Sequence, residues 1–107
     1  MATGFVSRFS YVDTTDGSVA FRPGNTLRVS FEIRNASGTL TSPTTVTCLH
    51  VLPSGSEDAV TATEDSTGLY HVDIVNIETG NHRLNVVTTG TLGARGVGTW
   101  YVSPINL

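Results

Sequence analysis

The chain has 107 residues, a hydrophobic content of 38% and only 14% charged side chains, which suits one domain with a single hydrophobic core. Its formal net charge of −3 and its pI near 5.4 argue against binding to nucleic-acid phosphates, because that requires a basic surface. All six basic residues are arginines, so a mechanism that depends on a lysine amine is excluded.

The cysteine content and the N-terminal sequence exclude further classes of protein. Cys48 is the only cysteine, so neither an intramolecular disulfide nor the cysteine pair of antibody domains can form. The start of the chain, from Met1 to Phe5, has no basic region followed by an apolar one, as a secretory signal would. No segment has the length and hydropathy of a membrane span. We therefore expect a protein that is made in a cytoplasm and has no membrane partner.

The N-terminal third predicts three strands, at residues 5–12, 19–21 and 26–35. The first two are separated by a polar stretch that contains the turn dipeptide Asp16-Gly17. Apolar and polar residues alternate strictly along the third strand, and this period of two indicates a strand with one buried face. The predicted buried residues of that strand are Leu27, Val29, Phe31 and Ile33.

The rest of the chain predicts strands at residues 44–52, 59–63 and 70–74, one around Leu84 and Val86, and a last one at 96–103. The strand at 44–52 has apolar residues on both faces, which indicates a central strand or one that a partner partly covers. The segment from Gly90 to Gly96 predicts the loop between the last two strands, and the four glycines between Gly90 and Gly98 indicate that it is mobile. It is either a plain flexible hairpin or a loop that folds against a partner.

A tyrosine corner is predicted between residues 65 and 70. In the sequence Asp65-Ser-Thr-Gly-Leu-Tyr70, a glycine at position 68 can adopt a positive φ, and the Tyr70 hydroxyl can then return to the main chain. Together these elements predict an all-β protein, an immunoglobulin-like antiparallel β-sandwich of about seven strands that occupies residues 1–107 as one domain.

Candidate metal ligands are present but lack a ligand pattern. His50, His71 and His82 fall on different predicted strands without a recognised spacing, which favours scattered surface side chains over a metal site. Asp13 and Asp16 lie in an acidic turn, but the turn lacks the Asp-x-Asp-x-Asp-Gly series of a calcium loop. We expect no metal ion.

Candidate nucleophiles are equally weak. Cys48 lies in an apolar strand, where a thiol is usually an inert packing group. The segment Pro53-Ser-Gly55 is a hairpin turn and not the strand-to-helix elbow that carries a nucleophilic serine. We therefore expect no enzymatic activity and no cofactor.

Partner contacts are expected in segments outside the predicted core. Phe5 and Arg8 belong to the N-terminal segment, and Leu92 and Arg95 belong to the glycine-rich loop. Exposed apolar side chains and arginines are typical of protein interfaces. These four residues are the predicted partner contacts.

The region from Pro43 to Val102 resembles a family of small immunoglobulin-like proteins of tailed bacteriophages. That family shows the motifs Pro-Thr-x-Val, Pro-x-Gly, Asp-x-x-Gly-x-Tyr and Gly-x-x-Arg, followed by a closing aromatic-x-Val strand. The N-terminal strand at residues 5–12 has no counterpart in this pattern. The matching residues are Pro43, Thr44, Val46, Pro53, Gly55, Asp65, Gly68, Tyr70, Gly80, Arg83, Trp100 and Val102.

The resemblance implies a non-catalytic virion structural protein of the head or the head–tail region. Such a protein would be made in the host cytoplasm and would attach to the capsid exterior or the neck as a decoration or cement protein. Its partners would be the major capsid or neck proteins, and homo-oligomerisation is a further option. The alternative is a carbohydrate- or cell-surface-binding β-sandwich module, which would show a row of exposed aromatic side chains. Most aromatic residues here fall on predicted core faces instead.

Overall fold

Eight β-strands form the described part of the chain. The computed structural model describes residues 2–14, 25–75, 78–90 and 92–102, and the predicted strand at 19–21 lies outside these ranges. Within them, no helix is long and apolar enough to cross a membrane. The strands are β1 (Ala2–Asp13), β2 (Thr26–Asn35), β3 (Thr45–Val51), β4 (Glu57–Val60), β5 (Thr63–Ser66), β6 (Leu69–Val75), β7 (Gly80–Thr89) and β8 (Leu92–Val102).

The strands pair in the order β4-β3-β7-β8-β1-β2-β6-β5. Neighbours are antiparallel except β1 and β8, which run parallel where Ala2 and Thr3 pair with Leu92 and Gly93. The two ends of this order, β4 and β5, follow each other directly in the chain, so the sheet curls until its two halves face one another. The predicted all-β, immunoglobulin-like sandwich is confirmed.

The hydrophobic core lies between the two halves and follows the predicted alternation. The four apolar residues of β2 are at most 2% exposed, and they face buried side chains of β7 and β8. Each such side chain contributes about 1.5–3 kcal/mol through burial. The fully buried apolar residues of the two halves include Leu27, Val29, Ile33 and Val72 on one side and Leu84, Val86 and Val102 on the other.

Strand β8 begins at Leu92, so the prediction of a mobile loop is wrong for residues 92–96. A Cβ atom on Gly96 would lie 2.6 Å from the Val6 Cβ, and one on Gly98 would lie 2.5 Å from the Tyr11 hydroxyl. These glycines therefore let side chains of β1 pack directly on the backbone of β8, which is a known use of glycine inside a strand.

The weak strand predicted at 59–63 is also wrong, because two short strands replace it. β4 ends at Val60 and β5 begins at Thr63, and they form the two outer edges of the curled sheet. Each edge strand has only four residues and carries two adjacent carboxylates, Glu57-Asp58 in β4 and Glu64-Asp65 in β5. Short, charged edges disfavour uncontrolled pairing with strands of other chains.

The prediction of a tyrosine corner is confirmed for the backbone conformation of Gly68 and is wrong for the hydrogen bond of Tyr70. Gly68 has a φ of +76°, as predicted. The Tyr70 hydroxyl, however, donates to Oε2 of Glu64 at 3.2 Å and not to the main chain. Ser42 donates to the same carboxylate oxygen through its Oγ. The side chain of Glu64 thus replaces the main-chain acceptor that the motif predicts.

Replacing Tyr70 with phenylalanine should lower the free energy of unfolding by about 1 kcal/mol, the usual net value of one hydrogen bond. Tyr70 is 7% exposed, so its ring remains packed in the variant and only the bond to Glu64 is lost. Urea denaturation measures the difference. Tyr101→Phe is the matched control because Tyr101 is 55% exposed, and it should leave the stability unchanged. Equal stabilities of the Tyr70→Phe variant and the wild type would show that the bond to Glu64 contributes nothing.

Candidate functional site

The outer face formed by β2 and β6 carries charges that are paired with one another. Arg28 and Asp73 form a double contact, with Nε to Oδ1 at 2.9 Å and Nη2 to Oδ2 at 3.1 Å. Arg34 Nη2 lies 2.8 Å from Oε1 of Glu32. The hydrogen bond from Arg28 lowers the pKa of Asp73, and burial opposes that effect. The Arg28–Asp73 pair is exposed to water and the Arg34–Glu32 pair is partly exposed, so neither pair is a strong source of stability.

The opposite outer face is built from β3, β7 and β8 and has a different character. Cross-strand register aligns Leu49 of β3, Asn85 of β7 and Val97 of β8 in one row, with Ala59 of β4 at its end. Val97 and Tyr101, on the outward side of β8, are 56% and 55% exposed. We call this outward surface the β3-β7-β8 face; its apolar members are Leu49, Val51, Val87, Val97 and Tyr101.

Two arginines lie on the same face without a paired acid. Arg83 of β7 stands opposite Thr99 of β8, and Arg95 of β8 stands opposite Val87 of β7. Both are exposed, and no carboxylate of the described residues lies within 4 Å of either guanidinium. Glu57, at the outer edge on β4, is the carboxylate that shares this face. The face therefore combines apolar and neutral polar side chains with an excess of positive charge.

The predicted contact residues do not form one surface. Arg95 lies on the β3-β7-β8 face, and Phe5, which is 41% exposed, lies beside Arg34 on the β1–β2 side. Leu92 is only 2% exposed and belongs to the core cluster. Its prediction as an exposed contact fails because the segment that was expected to be a loop is a strand whose even-numbered side chains point inward.

Arg8 is exposed and has an unusual backbone conformation. It lies in a bulge of β1, between the pairs Ser7–Glu32 and Ser10–Ser30, and it has a φ of +54°. Such a conformation costs a residue with a Cβ atom about 1–2 kcal/mol. Its guanidinium Nε lies 3.6 Å from Glu32 Oε1, and the side chain is 76% exposed. Arg8 therefore belongs to the charged outer face, on the opposite side of the sandwich from Arg95.

Two of the three histidines are in the core, so their prediction as surface residues is wrong. His50 is 4% exposed and His82 is 1% exposed. Their rings are stacked with centroids 5.0 Å apart, and each ring lies 5.5 Å from that of Trp100. His71 lies on the outer side and contacts Asp65 through Nδ1 at 2.9 Å.

Hydrogen bonds fix the tautomers of the buried histidine pair. His82 Nε2 lies 2.9 Å from the carbonyl oxygen of Glu78 and must donate, because a carbonyl can only accept. In the neutral ring, His82 Nδ1 is then an acceptor, and it lies 2.8 Å from Nε2 of His50. The chain of donation therefore runs from His50 to His82 to the Glu78 carbonyl.

The candidate nucleophile Cys48 and the candidate metal ligand Asp13 are both buried. Burial raises the pKa of the Cys48 thiol to about 11, which makes the thiolate scarce at neutral pH. Asp13 is 1% exposed and accepts a hydrogen bond from Nδ2 of Asn25 at 2.8 Å, while Asp16 lies outside the described residues. Among the residues that the structure describes, no group of three or more histidine, cysteine, aspartate and glutamate side chains could hold a metal ion.

Val97 and Tyr101, the exposed apolar members of the β3-β7-β8 face, are not among the predicted contact residues, although the sequence contains a signal for them. Trp100 and Val102 were predicted to point inward from the last strand. Alternation along a strand then sends Val97 and Tyr101 outward. Outward apolar residues next to a correctly predicted inward set are the sequence signal for a contact surface on this strand.

Comparison with known proteins gives the fold and nothing finer. No family model and no curated protein matches the chain. Among solved structures, it is similar to the filamin domain of Lin-41, with a TM-score of 0.65 and 23% identity over 89% of this chain and 91% of that one.

Two further solved structures are similar over smaller parts of longer proteins. The cell-surface chitinase ChiW of Paenibacillus sp. FPU-7 matches 95% of this chain with a TM-score of 0.60 and 13% identity. A DUF4785 family protein of Legionella pneumophila matches 81% with a TM-score of 0.55 and 18% identity. The chain spans 9% and 26% of these two proteins, and none of the three neighbours is a phage protein. At these identities the likeness establishes an immunoglobulin-like fold.

Proposed function

We propose that this chain is a non-catalytic structural protein of a bacteriophage particle that attaches to the capsid exterior or the neck through protein–protein contacts. Support comes from the resemblance of residues 43–102 to small phage sandwich proteins and from the immunoglobulin-like fold. The observation that carries the proposal is the β3-β7-β8 face, where Val97 and Tyr101 are more than half exposed.

An attachment role fits the physical character of this face. Interfaces are enriched in tyrosine and arginine, and the face presents Tyr101, Arg83 and Arg95 around its apolar row. A single copy needs only modest affinity, because a symmetric particle repeats the site many times and neighbouring contacts reinforce each other. In this role the protein is made in the host cytoplasm and ends in the virion, with capsid or neck proteins as partners.

The carbohydrate-binding alternative has less support from the described residues. Sugar stacking needs flat aromatic side chains side by side on one surface. The two exposed aromatics of the described residues, Phe5 and Tyr101, lie on different sides of the sandwich.

Copy number in purified particles tests the proposed function. Quantitative mass spectrometry of particles from the phage that encodes the chain should find it at a fixed ratio to the major capsid protein. A ratio near one places it across the head, and a few copies per particle place it at the neck. Its absence from washed particles would contradict the proposal.

A further inference from the structure

We propose that the β3-β7-β8 face binds a protein surface that is apolar at its centre and carries carboxylates opposite Arg83 and Arg95. This inference rests on the proposed function and specifies the partner's chemistry. It starts from the contrast between the two outer faces. On the β2–β6 side the arginines Arg28 and Arg34 lie against carboxylates, whereas Arg83 and Arg95 do not.

The apolar part of the face determines the centre of the contact. Leu49 and Val97 stand in the same cross-strand row on either side of Asn85, and Tyr101 lies four residues further along β8. Covering exposed apolar side chains is favourable by about 25 cal/mol per Å². An apolar partner surface is therefore expected over this row, and the Asn85 amide requires one polar group within it.

The arginines define where the partner's acids must lie. Arg95 is level with Val87, which is four residues beyond Arg83 along β7 and one strand away from Arg95. With a rise of about 3.4 Å per residue and about 4.8 Å between strands, the Cα atoms of the two arginines lie about 14 Å apart, which sets the scale of the separation between their side chains. Two carboxylates at that separation would complement both arginines, which favours orientation as well as affinity.

A second copy of this chain fits the face poorly. Each β3-β7-β8 face carries Arg83 and Arg95 with Glu57 at its rim. Two such faces packed together would place four guanidinium groups against two carboxylates and leave positive charge uncompensated in the contact. Nucleic acid fits no better, because two arginines on a chain of net charge −3 cannot supply the many phosphate contacts that such binding uses. The partner is therefore a different protein with an acidic rim.

Rebinding to particles that lack the chain tests this surface. Particles from a phage with a nonsense codon in this gene are mixed with purified wild-type chain, Arg83→Glu, Arg95→Glu or Arg8→Glu, and bound chain is measured by cosedimentation. Arg8→Glu is the matched control, because it makes the same charge change on the opposite outer face. We expect at least a tenfold loss of affinity for Arg83→Glu and for Arg95→Glu, and less than a twofold loss for Arg8→Glu.

The remaining outcomes separate the inference from the function on which it rests. Wild-type binding that weakens with added salt, together with a smaller salt effect for the Arg83→Glu/Arg95→Glu double variant, supports the charged contact. Wild-type binding with both single variants within twofold of it overturns the inference and leaves the proposed function standing. Failure of the wild type to rebind overturns both. Dimerisation of the free chain in sedimentation equilibrium that the two substitutions abolish also overturns the inference, because it assigns the face to a second copy.

Discussion

At pH 5 the protein should have a lower free energy of unfolding than at pH 7.5, and the buried histidine pair is the reason. Burial, and then the neighbouring His82, lower the pKa of His50 below its usual value of 6.5, while the carboxylates of Asp58 and Glu78 act in the opposite direction. Asp58 stands opposite His50 on β4, and Trp100 stacks against both imidazoles from β8. The folded state therefore favours the neutral form of His50.

The sign of the pH dependence follows from proton binding in the two states. His50 titrates near 6.5 in the unfolded chain and at a lower pH in the folded protein, so between these values the unfolded chain binds more protons. The contribution of neutral His50 to the free energy of unfolding is therefore fully present above about pH 6.5. It falls as the pH drops towards the pKa of His50 in the folded protein. The slope for one proton is at most about 1.4 kcal/mol per pH unit. Glu64 and Asp73, whose pKa values are also lowered, start from 4.5 and 3.8 and act at lower pH.

His50→Gln identifies the group responsible. A glutamine amide can still donate to Nδ1 of His82, but it does not titrate. Urea denaturation at several values between pH 7.5 and pH 5 should show a decline for the wild type and a flatter profile for His50→Gln. His71→Gln removes a histidine on the outer side and should keep the wild-type decline. An unaltered decline in His50→Gln would contradict the assignment.

Gly68→Ala should destabilise the protein by about 2–4 kcal/mol, because two separate costs meet at this position. The residue has a φ of +76°, where an alanine is strained. A Cβ atom there would also lie 2.8 Å from the Ile33 carbonyl oxygen and 2.8 Å from the Thr41 nitrogen. Both contacts are with backbone atoms, which cannot rotate away as a side chain would. Ile33 itself donates its N–H to the Gly68 carbonyl at 2.8 Å, so the clash falls on bonded backbone.

Gly38→Ala separates the two costs. Gly38 has a φ of +86°, and no atom lies within 4 Å of where its Cβ would be. This variant should lose only the strain of about 1–2 kcal/mol. The difference between the two variants in chemical denaturation measures the steric part at Gly68. Equal losses would show that backbone strain alone accounts for the requirement for glycine.

Strand periodicity predicted the core of this protein well, because burial on one face leaves an alternating pattern in the sequence. Leu27 to Ile33 is the clearest case. The same rule locates the buried histidines in retrospect: His82 shares its parity with Leu84 and Val86, and His50 shares it with Cys48. Their polarity led to the interpretation as surface residues, whereas the structure shows that each ring nitrogen that must donate has an acceptor.

Other features depend on contacts between distant segments and leave no local pattern. Gly96 and Gly98 resemble loop residues by composition, yet they are required because side chains of β1 pack on them from far away in the sequence. The motif predicts a hydrogen bond from the Tyr70 hydroxyl to the main chain, and the local sequence does not show that the Glu64 side chain takes the place of that acceptor. The β3-β7-β8 face is of the same kind, since its apolar row joins residues of β3, β7 and β8 that only the sheet register brings together.

Hydroxyl-radical footprinting of the chain bound to its particle tests the central claim most directly. Tyr101 and Phe5 are both exposed aromatic residues on different sides of the sandwich, so each serves as the control for the other. If the protein attaches through the β3-β7-β8 face, oxidation of Tyr101 should fall strongly on binding while that of Phe5 is unchanged. Equal oxidation of Tyr101 in the free and the bound chain would contradict attachment through this face.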